Sequence, residues 1–166
     1  MSHHTKAKSS HPVRHDRLIQ EHQHDPYASR GKPGEPAACP DCGAVFHGGR
    51  WRWGDAPADA HSRVCPACKR VRDKFPAGIV HVGGEFDAKE KDEYLRLIEH
   101  VAKAESGAHP VERIMDIDEE DGSLVITTTG VHLARRIGEA LQRAHRGQLD
   151  VRYSDSEHFV RVHFWH

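Results

Sequence analysis

The sequence predicts an α+β protein in two structured parts, a small cysteine-held module followed by a β-α-β-β-α-β-β sandwich. Three observations carry this. Two Cys-Pro-x-Cys pairs sit at Cys39/Cys42 and Cys65/Cys68, and the apolar residues concentrate beyond about position 75. From Gly78 onward their spacing switches between period 2 and period 3.6, the marks of strand and helix.

In chain order, residues 1–38 carry Pro12, Pro26, Pro33 and Pro36 and many polar residues, with Leu18-Ile19 the one apolar pair, and read as a flexible His-rich tail. Within it, Arg14–His22 is short for a stable helix and would order on a partner. Residues 39–77 form the cysteine module. Residues 78–166 form the sandwich: a strand through Ile79, Val80 and Val82, then a helix capped by Asp87 with Tyr94, Leu95, Ile98, Val101 and Ala102 at helical spacing, ending at Gly107 and Pro110. Val111–Ile117 and Leu124–Ile126 are strands joined by an Asp121-Gly122 turn. A second helix follows Thr127-Thr128-Thr129-Gly130, with Leu133, Ile137, Leu141 and Ala144 on its apolar stripe and Gly147 as its stop. Strands at Leu149–Tyr153 and Phe159–Trp165 complete a ferredoxin-like order extended by one strand, with both helices on one face.

No stretch approaches the roughly 18 apolar residues of a membrane span, and the N-terminus is polar rather than an apolar signal segment, so a cytoplasmic protein is expected. In a reducing compartment, close cysteine pairs are metal ligands more often than disulfides. Four thiolates in two knuckles suit one tetrahedral Zn²⁺, with Cys39, Cys42, Cys65 and Cys68 as ligands of a zinc-ribbon-like module. A full set of four leaves no position for water, so the metal's expected task is folding. His47 and His61 lie nearby and are not expected to replace a cysteine.

The net charge of −1 conceals an uneven distribution. Residues 1–77 hold 13 Lys/Arg against 8 Asp/Glu, and residues 78–166 hold 11 against 17. A basic front half suits an anionic partner. Arg50 and Arg52 beside Trp51 and Trp53, and Lys69, Arg70, Arg72 and Lys74 after the second knuckle, are candidates for phosphate contact or a solvated surface. Arg135, Arg136, Arg143 and Arg146, with His132, lie on the outer side of the second helix, and the Thr-rich turn before it is expected to leave backbone N–H groups free for an anion. A solvated helix face fits equally. On the last strand, Phe159, Arg161, His163 and Trp165 alternate with Val160, Val162 and Phe164, so an aromatic and basic set opposes the core set. That face suits base stacking, a covered second face or an oligomer contact.

Six histidines occur in the first 24 residues, and His22-Gln-His24-Asp25 is the best local ligand set among them. Asp116, Asp118, Glu119, Glu120 and Asp121 lack the ligand spacing of a calcium loop and read as a solvated hairpin tip.

Two segments resemble a known family. These are the Cys39-Pro-Asp-Cys42-Gly43 knuckle with its partner at Cys65, and Leu124–Leu141 followed by Gly147–Tyr153 and Val160–Val162. They are similar to the nonsense-mediated-decay-protein-three family of archaea and eukaryotes, adaptors that escort the large ribosomal subunit, and to short bacterial proteins with one knuckle pair. The family usually has two zinc units and further domains, whereas this chain has four cysteines and one α/β domain. The resemblance implies association with the ribosome or structured RNA, without implying transport. The resulting expectation is a non-enzymatic, zinc-containing RNA-binding or ribosome-associated protein. A protein-protein adaptor acting through the zinc module is the alternative. A hydrolase or nuclease is another, although no P-loop, Gly-x-Ser-x-Gly or His-Glu-x-x-His is present.

Overall fold

The computed structural model describes residues 25–27, 34–154 and 158–166. The Arg14–His22 helix, most of the expected tail, and His22 and His24 fall outside the described residues.

The described residues form two sheets and three helices. The first sheet has strands β1 (Ala37–Ala38), β2 (Val45–His47), β3 (Arg50–Arg52) and β4 (His61–Ser62) in the order β3-β2-β1-β4. The expected tail therefore overlaps this module, because Ala37-Ala38 pairs with Phe46-Val45 on one side and His61-Ser62 on the other. Helix α1 (Pro66–Asp73) follows. Sequence reasoning missed it. Its signal was Pro66 at the first helical position, where the missing N–H costs nothing, directly after Cys65.

The second sheet contains β5 (Gly78–Gly83), β6 (Ile114–Glu120), β7 (Ser123–Thr128), β8 (Gln148–Tyr153) and β9 (Val160–Trp165), in the order β6-β7-β5-β9-β8. Among its described pairs, β5/β9 is the parallel one and the other three are antiparallel. Helix α2 (Ala88–Ala108) starts in a capping box, Asp87 accepting from the Glu90 N–H while Glu90 accepts from the Asp87 N–H. It runs through Gly107 rather than stopping there. Helix α3 (Val131–Ala144) ends before Gly147, and Ala144 is exposed rather than on the buried stripe. Asp121 and Gly122, with φ of 49° and 77°, make the tight β6–β7 turn.

Alternation along the strands puts Val80, Val82, Leu124, Ile126, Val160, Val162 and Phe164 in one cluster with Tyr94 and Ile98 of α2 and Leu133, Ile137 and Leu141 of α3. One face is thus covered by helices. A close approach tightens the contact: a Cβ on Gly138 would lie 2.5 Å from Val162 Cγ1 and 2.8 Å from Leu149 Cδ1. The opposite face carries Ile79, His81, Val125, Thr127, Arg161, His163 and Trp165, all half-buried or exposed.

Contacts cross the expected boundary at 77/78. The Trp53 indole N–H donates to the Ser106 carbonyl at the end of α2. Val111 packs against the cysteine cluster.

Candidate metal centre and open sheet face

Each knuckle delivers its two sulfurs by local backbone geometry. In the first, the Cys39 N–H donates to the Ala44 carbonyl and the Gly43 N–H to the Cys39 carbonyl, with Gly43 at φ 79°, a conformation glycine adopts without strain. In the second, Cys65 is the N-cap of α1 and its sulfur accepts from the Cys68 N–H at 3.4 Å. The Cys39 sulfur in turn accepts from the Cys65 N–H at 3.3 Å, linking the knuckles.

The four sulfurs lie within 4.8 Å of one another, and Cys42 and Cys65 are 3.8 Å apart. A tetrahedral site with metal–sulfur bonds of about 2.3 Å has edges of about 3.8 Å, so the arrangement fits one four-thiolate metal ion. All four cysteines are free rather than disulfide-bonded. His47 and His61 are outside the cluster.

Electrostatics also suit a cation. Burial opposes ionisation of Cys39, but N–H groups of Cys65, Cys42 and Asp41 outweigh it and bring the thiol down to about 7. Burial pushes Cys42 and Cys65 up, and the Cys68 sulfur adds to the rise at both. Four thiolates in this space need positive charge. Part of it comes from Arg113, whose Nη2 is 3.1 Å from the Cys68 sulfur and 3.6 Å from that of Cys65. Burial disfavours the guanidinium charge, yet the sulfurs hold its pKa above the ordinary value.

Val111, Glu112 and Arg113 form a three-residue link between this centre and the helical layer. Val111 packs on the cysteines, Arg113 reaches them, and Glu112 between turns the other way to accept from the Leu133 N–H at 2.9 Å. Glu112 thereby caps α3, whose N-cap residue Gly130 has no side chain for the task. A Cβ at Gly130 would collide with the Glu112 carboxylate. This overturns the expected anion site at the Thr-rich turn. An internal carboxylate occupies it, and Thr129 is engaged with Val111 and Arg113.

The basic candidates divide. Arg70 is corrected as a phosphate contact because it is 1% exposed, paired with Asp25 at 2.7 Å, donating to the Phe75 carbonyl and lying 4.4 Å from the centre of the Tyr27 ring. Arg72 pairs with Asp41, Arg135 with Glu139 and Arg136 with Glu105. Arg52 donates to the His47 carbonyl. Lys69 is half-buried, and Arg50, Arg143 and Arg146 are exposed. Asp25, which follows His22 and His24 in the best local ligand set of the tail, is the ion-pair partner of Arg70. The acidic run lies along β6 and its turn, with Glu119 paired to Lys91.

The open sheet face follows the alternation expected of the last strand and gains a residue that sequence reasoning passed over. His81 of β5 stands in register with His163 of β9, their rings stacked 5.5 Å apart at 16°. Its signal was its place between core residues Val80 and Val82. Arg161 lies over the Phe159 ring at 4.8 Å, and Trp165 is 40% exposed. Comparison of the chain with family models, with curated proteins and with solved structures finds no match.

Proposed function

We propose that the protein is a non-enzymatic, zinc-containing RNA-binding or ribosome-associated protein that takes single-stranded RNA on the open face of its second sheet. The observation that carries this reading is the row of His81, His163 and Trp165 with Arg161 beside it, which no element covers among the described residues. Flat rings without a protein layer over them stack bases irrespective of sequence, and a neighbouring guanidinium meets the phosphates. The order β6-β7-β5, with α2 and α3 on one face, supports the first part of a ferredoxin-like scaffold, to which β8 and β9 add a hairpin whose inner strand β9 runs parallel to β5. The resemblance to the ribosomal-subunit adaptor family points in the same direction.

Zn²⁺ is the metal we assign to the four cysteines, in a ribbon-like module, because four thiolates at this spacing suit a tetrahedral ion without redox chemistry. Held there, it stabilises the module, while the chain's own groups make the RNA contacts. Exposed Val71 and Phe75 on the module favour a second reading, an adaptor that docks a protein there.

The test is anisotropy of a labelled single-stranded RNA titrated with the protein at several salt concentrations. Binding that weakens with salt is expected, because phosphate contacts release counterions. Trp165→Ala and His163→Ala should each weaken it about tenfold, stacking being worth about 1–3 kcal/mol per base. Salt-insensitive binding, or variants that bind as the parent does, would refute the reading.

A further inference from the structure

The second sheet has two edges, β6 and β8. An open edge is a template for another strand unless something blocks it. At β6 the block is plain. Asp116, Asp118, Glu119 and Glu120 are all exposed, and the register shifts between Ile114 and Asp116. Two such edges repel. Strand β8 has no such defence: Gln148-Leu149-Asp150-Val151-Arg152-Tyr153 contains no proline or glycine and one charge of each sign.

The direction of its backbone groups follows from the ladder. The Val160 N–H donates to the Ala77 carbonyl, so Val160 turns its polar groups toward β5, and Arg161, His163 and Trp165 turn theirs toward β8. Their register partners are Arg152, Asp150 and Gln148. The Ser154 N–H bond to the Phe159 carbonyl has the same parity. Leu149, Val151 and Tyr153 therefore direct N–H and C=O outward, and among the described residues no strand pairs with that side.

We propose that this edge pairs antiparallel with the β8 edge of a second copy of the chain, about a two-fold axis at Val151, making one ten-stranded sheet. Three features meet in that register. Val151, whose polar groups point outward, faces its own copy, and a hydrogen-bonded pair exchanges both bonds there. Asp150 of each copy faces Arg152 of the other. The two already bridge within the strand at 2.6 Å, so the pairing produces a square of alternating charges. Leu149 faces the second copy's Tyr153 on the helix-covered side, which covers a tyrosine left 36% exposed in the single chain. Isologous pairing of this kind closes after two copies. It stands independently of the RNA reading, and it would set two open faces on one surface.

Light scattering and sedimentation equilibrium of the full chain in the micromolar range test it. A dimer mass is expected. Arg152→Asp alone, and Asp150→Arg alone, place like charges opposite each other and should raise the dimer dissociation constant at least tenfold with the circular dichroism unchanged. Mixing these two variants should restore a dimer, since each supplies the charges the other lacks, and so should D150R/R152D in one chain. Val151→Pro, which removes an outward N–H, should give a monomer. A parent that stays monomeric throughout this range, a single-charge variant that dimerises as the parent does, or a mixture that fails to reassociate would each overturn the proposal.

Discussion

The Arg113 guanidinium reaches the Cys68 sulfur at 3.1 Å, although Arg113 immediately precedes β6 of the second sheet and Cys68 lies in the first turn of α1. A charge from one unit thus balances thiolates of the other. Its backbone is held by Thr129, whose hydroxyl accepts from the Arg113 N–H. Metal binding and the packing of the α3 N-terminus share one short strip of chain.

Arg113→Met keeps most of the side-chain volume and removes the charge. Groups that orient and neutralise metal ligands are typically worth about 10–100-fold in affinity. Competition with a chelator should show a loss in that range, with the circular dichroism of the second sheet retained. Unchanged metal retention would mean that the contact is incidental.

Glu112 gives the stability a pH dependence. Burial pushes its carboxyl above the usual 4.5, and the Leu133 N–H offsets only part of the rise. The folded chain therefore holds this proton more tightly than the unfolded chain. Its contribution is fully present below about pH 4.5 and is lost as pH climbs through the raised value. Relative to Glu112→Gln, the parent's urea midpoint should fall across that window and level off above it. Glu112→Ala, which removes the cap, should cost about 1 kcal/mol at neutral pH.

Asp25→Ala leaves the Arg70 guanidinium buried beside Tyr27 and Phe75 without its carboxylate. Removing one partner of such a pair costs about 2 kcal/mol or more, even with Asp25 partly open to solvent. Denaturant unfolding should show this. Arg70→Glu should disrupt the cysteine module itself, whereas Lys69→Glu should leave it folded.

Arg143 near the end of α3, and Arg146 just beyond the helix, are exposed with no ion-pair partner among the described residues, whereas Arg136 neutralises the nearly buried Glu105. Arg143→Glu, in the layer opposite the open face, should leave the urea midpoint and the salt slope of RNA binding nearly unchanged, whereas Arg161→Glu on the open face should lower that slope by about one. Arg136→Glu should instead lower stability, because it places a second carboxylate against Glu105.

The sequence alone determined the elements whose causes are local. Period-2 and period-3.6 spacing located the strands of the second sheet and the two long helices, Asp87 and Asp121-Gly122 marked a cap and a turn, and two Cys-Pro-x-Cys pairs named the four sulfurs that converge. Alternation along β9 also separated Val160, Val162 and Phe164 from Arg161, His163 and Trp165. Only the tertiary structure decided what depends on distant partners. Arg70 looked like one more basic residue until Asp25, 45 positions away, accounted for it. The Thr-rich turn looked open to an anion until Glu112 filled it from another segment. His81 acquired a neighbour only when β9 crossed over to lie parallel to β5. Local propensity and periodicity act over a few residues and can be read in one dimension. Desolvation and charge pairing act through space, so which charges remain exposed is known only once the chain has folded.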